Sequence, residues 1–191
     1  MTVNRRGGLF VISAPSGCGK TTLSDRLSPS FGIVRSVSFT TRPMRQGELN
    51  GKDYHFVSKE YFKKLIQKKE MLEWACVFGN YYGTPKRFVA THIKKGKDVL
   101  LVIDVQGAMQ IKKSGYDSVL IFLLPPSISA LRERLVKRSQ DSRGEVMERI
   151  KKSRLEMSYV KEYDYVLVND EIKNALYKIG SIITAERCKV R

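Results

Sequence analysis

Cysteine is scarce in this chain of 191 residues. There are three, Cys18, Cys76 and Cys188, widely separated and without a Cys-x-x-Cys pair. That spacing argues against zinc and against a disulfide framework, and it suits a reducing cytosol. Long apolar runs are missing as well. Met1 to Gly8 is short and basic, and the apolar stretch after it, Leu9-Phe10-Val11-Ile12, ends after four residues. Neither a signal peptide nor a membrane span is therefore expected, and the expected location is the cytoplasm. Acidic residues are the third shortage: 19 Asp and Glu face 35 Lys and Arg, a net charge of +16. A basic balance suits nucleic acid or small polyanions such as nucleotides. The Lys and Arg are scattered over the whole chain, with no basic arm, no RNA-binding aromatic motif and no zinc-finger spacing, so small polyanions are preferred and nucleic acid is not expected. The length corresponds to one domain, or one core with small insertions, and it can bury that core without staples.

What is present begins with Ser13-Ala14-Pro15-Ser16-Gly17-Cys18-Gly19-Lys20-Thr21-Thr22, between an apolar run and a helical segment. A strand, a Gly-rich turn and Gly-Lys-Thr opening a helix make a phosphate-binding loop. Gly17 and Gly19 lack a Cβ, so the backbone can take φ > 0 and turn its N–H groups inward. The helix N-terminus adds its unpaired donors. Lys20 would reach the β- and γ-phosphates of a nucleoside triphosphate, and the Thr21 hydroxyl would ligate Mg²⁺. Ala14 stands where the general pattern has Gly, a change that costs little if its φ is negative.

Apolar runs at Leu9–Ile12, Val99–Val105, Val119–Leu124 and Tyr165–Val168 lack strict alternation, as strands covered on both faces do. Helices are expected at Thr21–Leu27, Lys86–Lys95, Ala108–Ser114, Ile128–Arg138, Arg143–Lys161 and Glu171–Arg187. The class is α/β, a mostly parallel sheet with helices on both faces. Residues 33–84 break the alternation. Ile33–Thr41, Asp53–Val57 and Met71–Val77 read as strands around a helix at Tyr61–Lys69, a small mixed-β insertion. Arg42 and Arg45, three apart and followed by Tyr54, suggest a phosphate clamp.

Taken in order, Ala14-Pro15-Ser16-Gly17-x-Gly19-Lys20-Thr21, Ser38-x-Thr40-Thr41-Arg42-Pro43-x-Arg45, Gly51-Lys52-Asp53-Tyr54-x-Phe56-Val57, Glu73-Trp74-Ala75, Gly79-Asn80-Tyr81-Tyr82-Gly83-Thr84 and Asp104-Val105-Gln106-Gly107 resemble guanylate kinase, the bacterial members most closely. The resemblance runs from about residue 8 to the end. It implies a kinase fold divided into core (1–32), GMP-binding insertion (33–90), core (91–126), lid (127–161) and core (162–191). It implies transfer of the γ-phosphate of ATP to GMP, and to dGMP, in purine nucleotide supply, with ATP as co-substrate and Mg²⁺ as cofactor.

By motif position, ATP would lie on Ala14, Pro15, Ser16, Gly17, Cys18, Gly19, Lys20, Thr21 and Thr22, with Asn169 on the adenine side. The GMP phosphate would be held by Arg42, Arg45, Tyr54 and Tyr82. Glu73, with the hydroxyls of Ser38 and Thr84, would read guanine. Glu48 and Asp104 are further carboxylates near GMP, and Asp104 would also approach Mg²⁺, directly or through water, unless it simply caps the next turn. Lys20, Arg42, Arg134, Arg138 and Arg149 would stabilise the transferring phosphoryl group, the last three from the lid. The family's lid usually has Gly-Arg-Gly where this chain has Lys137-Arg138-Ser139. Two other readings are a non-catalytic guanylate-kinase-like protein-binding module and a basic RNA binder. Cys18, at a helix N-terminus beside Lys20, is expected to have a lowered pKa, so that its modification blocks ATP binding.

Overall fold

The computed structural model describes residues 6–138 and 143–190. In chain order the elements are β1 (Leu9–Ser13), α1 (Lys20–Phe31), β2 (Val34–Arg35), β3 (Phe39–Thr40), β4 (His55–Phe56), α2 (Lys59–Gln67), β5 (Met71–Val77), β6 (Asn80–Pro85) and α3 (Lys86–Lys94). There follow β7 (Val99–Val102), α4 (Val105–Lys113), β8 (Val119–Leu124), α5 (Ile128–Arg138), α6 (Arg143–Met157), a 3₁₀ turn (Ser158–Glu162), β9 (Tyr165–Val168) and α7 (Ile172–Cys188).

Five strands form a parallel sheet in the order β2-β7-β1-β8-β9. Every residue of β1 is buried. Its side chains alternate between faces, as the two-residue period of a strand requires. Phe10 and Ile12 pack with Leu23, Leu27, Leu131 and Ile179 from α1, α5 and α7. Leu9 and Val11 pack with Val89, Ile93, Ala108 and Ile111 from α3 and α4. A strand buried on both faces needs no polar alternation, which is why the run reads as continuous apolar sequence. Since β1 lies between β7 and β8, the loop after it opens beyond the carboxyl ends of the central strands, where α/β sheets bind ligands.

A second sheet, in the order β4-β3-β6-β5, carries one parallel and two antiparallel pairings. Against it α2 buries Phe62 and Leu65, and the Ser58 hydroxyl caps that helix by accepting from Tyr61 N–H at 3.1 Å.

The single strand expected at Ile33–Thr41 is two. Val34 and Arg35 complete the edge of the parallel sheet against Val99 and Leu100, and Phe39 and Thr40 pair with β4 and β6. The second sheet therefore starts at Phe39, and α3 puts Val89 and Ile93 into the core. The strand expected through Val105 stops at Val102, because Asp104 caps α4 by accepting from Gly107 N–H at 3.0 Å. Helix α1 runs past Pro29 to Phe31 and ends at Gly32 with φ 59°. The long helix expected at Arg143–Lys161 turns 3₁₀ after Met157.

Candidate active site

Between the two sheets lies a cleft of about 660 Å³, walled by the loop after β1, by β5 and β6, by Asp104, and by α5 and α6. On the loop side, Gly17 has φ 87° and Gly19 φ 80°, the conformations that require glycine there. Ala14 is not among the positive-φ residues and its side chain is buried in the core, so its departure from the usual glycine is conformationally free. The Lys20 ammonium donates to the carbonyls of Ala14 and Pro15, across the mouth of the loop. The backbone of Thr21 lies in the first turn of α1, and its side chain is outside the described residues. Ser16 and Thr22 belong to the cleft wall.

Cys18 overturns its expectation. The residue is 1% exposed, packed in the main core cluster. Burial pushes the thiol up to about 11, against the opposing fields of Lys20 and Arg134. Position at a helix N-terminus favours a thiolate only where the sulfur meets solvent or donors. The Cys18 carbonyl is the polar part that matters: Asn169 Nδ2 donates to it at 2.7 Å. Asn169 is buried and absent from the cleft wall, and among the described residues its Oδ1 has no hydrogen-bond partner. Its amide braces the phosphate loop, and a Cβ on Gly19 would come within 2.9 Å of that nitrogen.

On the opposite wall, the period of two along β5 turns Glu73, Ala75 and Val77 into the cleft and leaves Trp74 and Cys76 exposed. Glu73 is 4% exposed and Oε1 accepts from the Thr84 hydroxyl at 2.6 Å. Burial lifts its pKa to about 7; the Thr84 hydroxyl opposes the rise and the field of Asp104 adds to it. Ser38, Tyr54 and Tyr82 also line the wall, the two phenol rings edge to face at 5.9 Å. Arg42 sits behind them, its guanidinium 5.5 Å from the Tyr54 ring centre and 5.7 Å from that of Phe56.

Glu48 organises both arginines. It accepts from Arg42 Nη2 at 2.7 Å and from Arg45 N–H at 2.8 Å. Burial works against its charge, yet these bonds hold the carboxyl below the usual range. The Arg45 side chain is exposed and reaches the cleft wall.

Asp104 joins the wall at the end of the β7 segment. Its roles as helix cap and cleft carboxylate coexist, since Gly107 N–H takes one oxygen and Gln106 Nε2 approaches the other at 3.3 Å. From α5 and α6, Arg134 and Arg149 both line the cleft, and Arg134 Nη2 donates to Asn169 O at 3.3 Å. Arg138 ends α5 with its side chain outside the described residues, and Ser139 lies outside them altogether.

A model of the family described as guanylate kinase matches residues 6–186. The chain belongs to the guanylate kinase family. A guanylate kinase of Caldanaerobacter subterraneus subsp. tengcongensis is 45% identical over 191 residues, covering 100% of this chain and 93% of that one. That of Maricaulis maris is 49% identical over 187 residues, 97% of this chain and 86% of the relative. Among solved structures, the guanylate kinase from Anaplasma phagocytophilum superposes with a TM-score of 0.84 at 38% identity, covering 99% of this chain and 90% of that one.

Several residues at the site were not singled out from the sequence. Gly107 packs directly on the Glu73 carboxylate: any Cβ there would overlap it. Gln110, one turn later on α4, exchanges two hydrogen bonds with the Trp74 backbone, at 3.2 and 2.6 Å, and so pins β5 to the core. Glu156 faces the cleft from α6, and Lys152, which the sequence suggests is part of a solvated basic helix face, lies on the cleft wall one turn before it. Burial raises the Glu156 carboxyl, against the fields of Lys20 and Lys152. Gly107 had a signal in its motif; Gln110 had none, because its partner, Trp74, is remote in sequence.

Proposed function

We propose that this chain moves the γ-phosphate of ATP onto GMP, and onto dGMP, giving ADP and the nucleoside diphosphate. The observation that carries the reading is the buried Glu73–Thr84 pair, set in the wall of a cleft whose other side is the phosphate loop. Guanine offers two adjacent donors, N1–H and the 2-amino group, and a carboxylate can accept both. Adenine offers neither and would leave the buried Glu73 with only the Thr84 hydroxyl, a mismatch a polar site rejects strongly. The Ser38 hydroxyl lies on the same wall.

In this reading Tyr54, Tyr82, Arg42 and Arg45 hold the GMP phosphate with charge-assisted bonds. Glu48 keeps the two arginines at a fixed separation. The acceptor oxygen belongs to a phosphate already ionised at neutral pH, so no general base is needed. One of its oxygens bonds to the γ-phosphorus as the bond from that phosphorus to the β–γ bridging oxygen breaks, leaving ADP. The protein's task is positioning and charge stabilisation, from Lys20 and the loop N–H groups on one side and Arg134, Arg138 and Arg149 on the other. The lid also keeps water from competing as acceptor.

No group of three carboxylate, His or Cys side chains suited to a metal occurs among the described residues. That fits Mg²⁺ arriving with ATP, which needs only one or two protein oxygens and keeps several waters. Asp104, a hard oxygen donor on the cleft wall, and Thr21 would serve, and the ion would offset charge on the β- and γ-phosphates. No helix among the described residues is long and apolar enough to cross a membrane, and we infer a cytoplasmic enzyme of purine nucleotide supply.

A turnover screen of GMP, dGMP, AMP, UMP and CMP with MgATP tests the proposal. GMP and dGMP are expected to release ADP, and AMP at least 100-fold more slowly. No GMP-dependent ADP release above the ATP-only background would overturn it in favour of a non-catalytic binding module.

A further inference from the structure

The hairpin joining β5 and β6 breaks a local rule. Val77 pairs with Asn80, so the loop has two residues, Phe78 with φ 49° and Gly79 with φ 75°. A two-residue turn with positive φ at both positions favours Asn-Gly or Asp-Gly, because those residues tolerate the left-handed region. Phenylalanine does not, and a bulky residue there is a genuine outlier. Its ring is no part of the core either: Phe78 is 59% exposed. Departures of this kind are expected where a residue serves something other than local stability.

The ring has partners on the lid. Lys152 Nζ lies 4.4 Å from its centre and Arg149 Cζ 5.8 Å, both within cation–π range. The two cations stand three residues apart on α6, one face of the helix. The contact therefore joins two parts of the site. The hairpin under Phe78 carries Glu73 on one strand and Tyr82 and Thr84 on the other. The helix above it carries Arg149, which also lines the cleft opposite the phosphate loop. Lys152 continues the link inward to Glu156 at 3.8 Å.

We propose that Phe78 is a positioning residue that docks the lid on the acceptor-binding hairpin, so that Arg149 is aimed at the transferring phosphate when that hairpin is in place. The role rests on the phosphotransferase reading above. It couples acceptor binding to completion of the charge-stabilising site and limits transfer to water when no acceptor is bound. Phe78 stands at the rim of the same cleft wall as Arg149, and the role assigned to it is exerted through that arginine.

The test compares Phe78→Leu, which keeps bulk but loses the π face, Phe78→Trp, which keeps the face, and Phe78→Asn, which suits the turn. The Leu and Asn variants are expected to lose roughly three- to tenfold in kcat, the worth of one exposed cation–π contact or two. KM for GMP is expected to stay within about twofold. The ratio of GMP-independent to GMP-dependent ADP release should rise with the loss, and Phe78→Trp should restore kcat. Phe78→Asn should melt no lower than the parent, and higher if the turn strain is relieved. A structural role alone would instead make activity follow melting temperature. Independently of turnover, a thermal-unfolding cycle of Phe78→Leu with Lys152→Met should be non-additive by about 1–2 °C. Additive melting shifts, or an active parent whose Leu and Asn variants keep kcat within twofold, would overturn the proposal. An inactive parent with a coupled cycle would fault the phosphotransferase reading and leave the docking contact in place.

Discussion

At the scale of single residues, Glu73 shows how burial converts a common side chain into a discriminating one. Its carboxyl is lifted to about 7 by desolvation, and under the proposed function it must be ionised to accept two guanine donors. GMP affinity is therefore expected to fall as pH drops below about 7. The KM for GMP should rise toward tenfold per pH unit on the acid side. Glu73→Gln should cost at least 100-fold in kcat/KM for GMP and retain only the pH dependence that the GMP phosphate brings. A parent KM that is flat between pH 8 and 6 would contradict this.

The same shift has a sign for stability. The folded pKa lies above the unfolded one, so the folded state binds the extra proton between about pH 4.5 and 7. Its contribution is complete below that window and is lost as pH rises through it. Glu73→Gln should therefore fold normally, and at pH 8 it should melt no lower than the parent. Cys18 gives the opposite lesson. Its thiol is buried and its pKa raised, whereas Cys76 and Cys188 are exposed. Alkylation of the folded protein at pH 8 is expected to label those two, spare Cys18 and leave activity intact. Labelled Cys18 on peptide mapping would show that the loop opens far more readily than its packing implies.

At the scale of elements, the strand that carries Glu73 depends on a helix of the core. Helix α4 presents Gly107 to the Glu73 carboxylate and Gln110 to the Trp74 backbone. Gly107→Ala would force Glu73 aside. It is expected to lower kcat/KM for GMP about 100-fold, in line with a lost buried charged hydrogen bond and displaced carboxylate, while ATP affinity stays within a factor of about two. Gln110→Ala removes the clamp without entering the guanine site, so a loss of about tenfold or less is expected. Equal effects of both variants on ATP affinity would place the damage in the core instead. The 3.6 period of α4 and the Asp104 cap are readable in sequence. That its small residue faces a carboxylate more than 30 positions earlier is not, because no local pattern encodes that meeting.

At the scale of the whole molecule, the termini of the core are clamped together. Asp98, 3% exposed in its side chain, accepts from Gly8 N–H at 2.7 Å and from Arg187 Nε at 2.8 Å. Arg187 Nη2 also donates to Phe31 O at 2.7 Å, so one guanidinium joins α7, α1 and the segment before β7. Arg187→Met leaves a buried carboxylate with one charged partner fewer. It is expected to cost about 2–3 kcal/mol, lowering the melting temperature by roughly 4–12 °C. Because the clamp is far from the cleft, kcat of the folded enzyme should be unchanged. A melting temperature within 1 °C of the parent would show that the clamp contributes little.

The sequence by itself determined the parallel core, the turn geometry of the loop after β1 and the family. Those features rest on signals confined to neighbouring residues: continuous apolar runs, glycines at fixed offsets, a cap and ordered motifs. Tertiary structure decided what those signals could not reach. It split Ile33–Thr41 between two sheets, because strand pairing is chosen by partners far along the chain. It turned Asn169 from an expected adenine contact into a brace on the loop, and it buried Cys18, whose local sequence suggested reactivity. It also brought Phe78 beneath Lys152, some 70 residues away. Burial, pKa and cross-site contact are properties of three-dimensional neighbours, and local sequence specifies only the side chains that will meet them.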